Sequence, residues 1–115
     1  EVNEGDATAG KMQVVAQVQE YIKNHLSEKL TLADVAAVFN FSPNYLSQLF
    51  GKYGDSGFVE YITETRIAAA KEMLEQGDWK VYEIAEKLGY ESAFYFSKVF
   101  KKVTGLSPRE YQQSI

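Results

Sequence analysis

Apolar residues recur at the spacing of helical faces over most of the chain, with short breaks rich in Ser, Asn, Gly and Pro. Val14, Val15, Val18, Tyr21, Ile22 and Leu26 form the first such face, predicting a helix over residues 11–27. His25 lies in the same stripe and reads as a packed or edge-lying ring. Thr31-Leu32-Ala33-Asp34 is a helix start: the hydroxyl can accept an amide hydrogen bond and the acid can reach back. Leu32, Val35, Ala36 and Phe39 give that short helix its face, and Asn40 ends it because asparagine tolerates left-handed backbone. Ser42-Pro43 starts another helix at once, running to Tyr53, with Tyr45, Leu46, Leu49 and Phe50 placed on the buried side. Two short helices joined by a tight turn form a helix-turn-helix outline. After the break at residues 54–57, residues 58–76 read as one long helix with Phe58, Tyr61, Ile62, Ala69, Met73 and Leu74 inward, closed by Gly77.

The outline then returns. Val81-Tyr82-Glu83-Ile84-Ala85 matches Leu32-Ala33-Asp34-Val35-Ala36, and Tyr95-Phe96-Ser97 with Val99-Phe100 matches Tyr45-Leu46-Ser47 with Leu49-Phe50. Lys52 pairs with Lys102 and Tyr61 with Tyr111. The register slips by one residue in the turn, where Gly89 stands for Asn40, two residue types that suit left-handed backbone. The expected fold is all-α: two tandem helix-turn-helix subdomains joined by a long linking helix, about seven helices, the last a short capped one from Ser107-Pro108. Residues 1–10 read as a linker or tail, 11–56 as the first subdomain, 57–77 as the linking helix and 78–115 as the second subdomain.

The second helix of each pair presents a distinctive strip. At about 100° per residue, Ser47, Gln48 and Gly51 fall on one side with Asn44, opposite Tyr45, Leu46, Leu49 and Phe50. Asparagine and glutamine are the side chains that pair bidentately with adenine in the major groove. The second copy places Phe94, Ser97, Lys98 and Lys101 there. Lysine reaches guanine edges or phosphates, while an aromatic ring can meet thymine methyl groups or pack against the neighbouring turn.

Composition changes the picture in two ways. The chain has no cysteine and a single histidine, which leaves nothing for disulfides, thiol chemistry, a catalytic triad or a histidine metal site. No Gly-rich phosphate loop is present and no apolar run is long enough to span a bilayer, so the expectation is a cytoplasmic non-enzyme with no cofactor and no membrane partner. The net charge of −4 argues against nucleic acid until its distribution is considered. Residues 1–10 hold three acids and no base, and residues 42–54 and 92–104 hold Lys52, Lys98, Lys101 and Lys102 with no acid at all. A randomly solvated face would show both signs. The competing reading is a helical module that docks a protein partner through the Phe94 surface; the acidic balance supports it, and the duplicated acid-free faces oppose it.

Geometry agrees with double-stranded DNA as the partner. A helix over residues 57–76 is about 30 Å long at ~1.5 Å per residue, near the ~34 Å between successive major grooves on one face of B-DNA. Helix starts near Thr31 and Lys80 offer amides to phosphates. Arg66 reads as a structural hydrogen-bonding residue of the linking helix, with phosphate contact the alternative. Trp79 reads as an apolar anchor at the junction of the halves.

Ile84-Ala85-x-x-x-Gly89-Tyr90, followed by Tyr95-Phe96-Ser97-Lys98-x-Phe100-Lys101-Lys102-x-x-Gly105-x-Ser107-Pro108-x-x-Tyr111, resembles the C-terminal DNA-binding domain of the AraC/XylS family of bacterial transcription regulators. Arg66-Ile67-x-x-Ala70 fits as well, and the resemblance covers residues 11–113. Residues 79–85 are similar to the version fused behind response-regulator receiver domains. The resemblance implies sequence-specific DNA binding as the output domain of a regulator, usually activating transcription through contact with RNA polymerase. It also implies an upstream sensing or receiver domain. By position it assigns base reading to Asn44, Ser47, Gln48, Phe94, Ser97 and Lys98. The phosphate contacts expected from residue chemistry are Thr31, Lys52, Lys80, Lys101 and Lys102. The chain departs from the family pattern at Gly51, at Gln112 and in lacking an arginine near Gln48, each departure removing positive charge.

Overall fold

Hydroxyl caps set where the helices begin. In a computed structural model, which describes residues 4–115 and their side chains from residue 8, the helices are α1 (Glu4–Lys23), α2 (Leu32–Val38), α3 (Pro43–Tyr53), α4 (Phe58–Gln76), α5 (Val81–Lys87), α6 (Ala93–Thr104) and α7 (Pro108–Ser114). Among the described residues there is no strand. Thr31 Oγ1 accepts from the Asp34 amide at 3.0 Å, and Ser42, Ser92 and Ser107 cap α3, α6 and α7 in the same way at 3.1 Å each. The α5 start has no hydroxyl, and the acid serves alone: the Lys80 amide donates to Glu83 Oε1 at 2.8 Å. Each helix-turn-helix turn passes through left-handed backbone, at Asn40 with φ 61° and at Gly89 with φ 80°.

Two compact units result. One comprises the chain through His25 together with Leu30–Ile62; the other comprises Leu26–Lys29 with Thr63–Ile115. Sequence pattern sets the long helix apart as a connector, but its residues belong to both cores. Phe58 and Ile62 are buried in the first unit with Val15, Val18, Ile22, Val35, Ala36, Leu46, Leu49 and Phe50. Ile67, Ala70 and Leu74 are buried in the second with Ile84, Ala85, Leu88, Phe96 and Phe100. Phe96 and Phe100 are fully enclosed, their rings 5.8 Å apart and tilted, and Tyr111 meets Phe100 edge-on at 5.6 Å. Full burial of one such side chain stabilises by about 1.5–3 kcal/mol, so this aromatic pair is a main source of the second unit's stability.

Helix α1 begins earlier than its apolar stripe. The stripe starts near Val14, whereas the helix runs from Glu4 through residues read as linker. Acids near the start, Glu4 and Asp6, complement the helix dipole, and a helix can extend there without an apolar face. Its other end stops at Lys23, four residues before the end predicted from the pattern. His25 stacks on Tyr21 at 3.9 Å, and its Nδ1 donates to the Tyr21 carbonyl at 2.6 Å, the packed role expected for it.

The segment Leu26–Lys29 is held by Arg66. One guanidinium nitrogen donates to the carbonyls of Leu26 at 3.2 Å and Glu28 at 2.8 Å, and the group lies over the Tyr90 ring at 5.5 Å. Burial lowers the Arg66 pKa from its ordinary value, against the opposing effect of Tyr90, and burial raises that of the Tyr90 phenol. The structural role read for Arg66 is the one present.

The capping box of α7 carries a pH signature. The Ser107 amide donates to Glu110 Oε1 at 2.8 Å, and this bond, with the Ser107 hydroxyl and the nearby Lys101 charge, holds the Glu110 carboxyl below its ordinary 4.5. A depressed folded pKa contributes stability above the unfolded value and loses it as pH falls through the folded one. Glu110→Gln is therefore expected to melt with a flatter acid dependence than the parent, any parental advantage at pH 7 vanishing below the usual carboxylate range. Parallel thermal melts in steps down from neutral pH measure it; identical acid slopes would contradict the assignment.

Candidate nucleic-acid interface

The strip predicted on α3 is exposed. Asn44, Ser47, Gln48, Gly51 and Lys52 all face solvent, while Leu46, Leu49 and Phe50 anchor the opposite side. Pro43 at the first turn and the Ser42 cap fix where the helix starts, and so which residues its N-terminal turn offers. Gly51 has open space around the position of a Cβ, so nothing inside the first unit demands glycine there.

On α6, Phe94, Lys98, Lys101 and Lys102 are exposed and Ser97 is half-buried. Phe94 is 71% exposed, so it is not tucked under a neighbouring turn. Lys98 Nζ stands over it, 4.8 Å from the ring centre. This cation–π contact holds the ammonium along the strip. Lys101 and Lys102 lie in the last turn of α6 and Lys52 in the last turn of α3. Thr31 is half-buried at the α2 cap and Lys80 exposed at the α5 start, each beside a helix of only seven residues.

Tyr45, assigned to the buried side, is 42% exposed, and its counterpart in the repeat, Tyr95, is 56% exposed. Both occupy the third position of their helices, where the side chain projects past the core that Leu46 and Phe96 fill one residue later. The signal available in the sequence was the same residue type at the same capped position in both copies.

Gln112 illustrates what replaces a charge. Where the family pattern has arginine, its Nε2 donates to the Leu74 carbonyl near the end of α4 at 3.1 Å. Tyr111 donates to Glu75 at 2.7 Å, and that bond raises the pKa of its phenol. Trp79 donates from its indole to Gln76 at 3.0 Å and packs at the margin of the second core, as an anchor. Among the described residues no cluster of His, Asp or Glu could hold a metal ion, and no helix is long and apolar enough to cross a membrane.

The helix-turn-helix domain family matches the chain over residues 35–114. The uncharacterised helix-turn-helix transcriptional regulator YijO of Escherichia coli K12 is 41% identical over 107 residues, 92% of this chain. The chain spans 38% of that relative's length. Among solved structures, the C-terminal domain of AraT, a response regulator from Geobacillus stearothermophilus, aligns with a TM-score of 0.85 at 37% identity. The alignment covers 89% of this chain and 85% of that one. The DNA-binding domain of AdpA, described as a global transcriptional factor and solved with a target DNA, aligns with a TM-score of 0.80 at 25% identity. That match covers 86% of this chain and 89% of the other.

Proposed function

Because the chain belongs to the AraC-type helix-turn-helix family of transcription regulators, we propose that it is the sequence-reading part of a transcription activator, with α3 and α6 each entering a major groove and the two grooves adjacent on the duplex. The observation that carries this reading is the pair of exposed, acid-free strips, one on each of two helices built alike within a single chain. One chain would then read an asymmetric site, and any bending needed to meet both helices would add to selectivity through DNA deformability.

Asn44, Ser47 and Gln48 read bases in the first site, with adenine the natural partner of the two amides. Phe94, Ser97 and Lys98 read the second, with thymine methyl groups facing Phe94 and guanine facing Lys98. Thr31, Lys52, Lys80, Lys101 and Lys102 contact phosphates and set register without selecting sequence. The first strip carries no charge before Lys52, so it contributes selectivity and the lysine-bearing second site supplies most of the affinity. An upstream sensing or receiver domain would supply the signal, as the match to a response regulator's C-terminal domain suggests, and RNA polymerase would receive it.

Selection of binding sites from random duplexes tests the assignment. Gln48→Ala and Lys98→Ala are each expected to relax preference at particular base pairs by about 1–3 kcal/mol. A Gln48→Ala protein that selects the parental sites would remove α3 from the base-reading role.

A further inference from the structure

We propose that Tyr45 and Tyr95 are phosphate contacts, each donating its phenolic hydroxyl to the DNA backbone that walls one side of the groove its helix enters. The proposal rests on the DNA reading above and extends it to Tyr45, which the sequence pattern assigns to the buried side, and to its counterpart in the repeat, Tyr95.

Both rings stand in solvent although a large aromatic side chain gains most by burial. Neither hydroxyl has a hydrogen-bond partner among the described residues. Each ring is nonetheless braced from below by an aromatic residue of its own turn: Phe41 meets Tyr45 edge-on at 5.2 Å, and Tyr90 meets Tyr95 at 6.1 Å. Bracing restricts the ring before any partner arrives, which lowers the ordering cost of a contact made at its tip. Bracing alone would be served as well by phenylalanine; the hydroxyl is what tyrosine adds.

Angular position names the partner. With Asn44 at zero and about 100° per residue, the base-reading strip of α3 extends about 60° to one side and about 40° to the other. Tyr45 and Lys52 lie at about 100° and about 80°, together on one flank of the strip and seven residues apart along it. Tyr95 and Lys102 repeat the pair on α6. A helix in a major groove about 12 Å wide meets base edges along its strip and sugar-phosphate backbone along its flanks. A flank carrying a phenol at its first turn and an ammonium at its last is furnished with two donors for a row of phosphates, and tyrosine is among the side chains that make such bonds.

Neutrality makes the role separable from that of the lysines. A phenol gives a hydrogen bond to phosphate but displaces no counterion. Affinity for a duplex selected by the parent is measured over a salt series for the parent, Tyr45→Phe, Tyr95→Phe, the double variant and Lys102→Gln, with far-UV circular dichroism to verify folding. Each Tyr→Phe change is expected to weaken binding about three- to tenfold, equally for all duplexes and with the salt slope unaltered. Lys102→Gln is expected to flatten the slope by about one. Parental affinity in both phenylalanine variants, a change in the selected sequence, or a flattened slope would overturn the proposal while leaving the DNA reading in place. A parent that shows no salt-dependent binding would overturn both.

Discussion

Gly89→Ala is expected to destabilise the second unit by about 3–5 kcal/mol. Two effects add. Residue 89 sits at φ 80°, where an L side chain is strained by about 1–3 kcal/mol. A Cβ there would also lie 2.6 Å from the Leu26 carbonyl oxygen, 2.7 Å from Arg66 Nη2 and 3.2 Å from the Glu28 carbonyl oxygen. Neither carbonyl can swing aside as a side-chain tip would, so relief means giving up the Arg66 hydrogen bonds, worth about 1.5–3 kcal/mol for a charged donor. Asn40→Ala is the matched control at the equivalent turn, where a side chain is already accommodated, and only the left-handed strain is expected. Urea denaturation followed by circular dichroism measures both. A loss below about 1 kcal/mol for Gly89→Ala would mean that the Leu26–Lys29 segment yields freely.

That glycine also marks how far the sequence carries. Asn40 and Gly89 were legible as left-handed positions because few residue types tolerate that backbone, and the hydroxyl and proline caps were legible because they act within four residues. The duplication followed from both. Contacts made at long range were not legible. Nothing near Leu26 announces that it belongs with Arg66 and Gly89, and Ile67 and Ala70 prove buried among residues that lie well apart from them in the chain. Tyr45 was misplaced for a different reason. A helical projection treats every turn as equally covered, while the first turn of α3, like that of α6, overhangs its core. The reading of α1 as beginning near residue 11 failed because an apolar stripe reports burial, and helix can form without it.

The double substitution Lys101→Gln with Lys102→Gln is expected to lower affinity about a hundredfold or more for every duplex at ~0.15 M salt, and to flatten the salt slope by about two. Both side chains are exposed at the end of α6, and the only tie of their charge to the fold described above is the influence of Lys101 on the Glu110 carboxyl. They make up half of the cationic side chains on the two acid-free segments, in a chain whose net charge is −4. With so little positive charge to spare, affinity rests on a few positions, and removing two of them is felt uniformly because phosphates are the same at every step. Loss confined to certain sequences would instead make these lysines base readers. An unchanged salt slope would place them off the duplex. Titrations of specific and scrambled duplexes at several salt concentrations distinguish the three outcomes.

The four residues Leu26–Lys29, which stand in the chain before the first helix-turn-helix pair yet pack with the second, bear on how the duplicated halves can diverge. A fragment starting at Thr63 would carry α5, α6 and α7 complete but leave the Arg66 guanidinium facing two absent acceptors. The repeat is therefore visible as two cassettes in the primary structure while its later half borrows a foothold from upstream. Recombination that exchanged that half between relatives would have to bring the borrowed tetrapeptide along, or choose relatives that already share it.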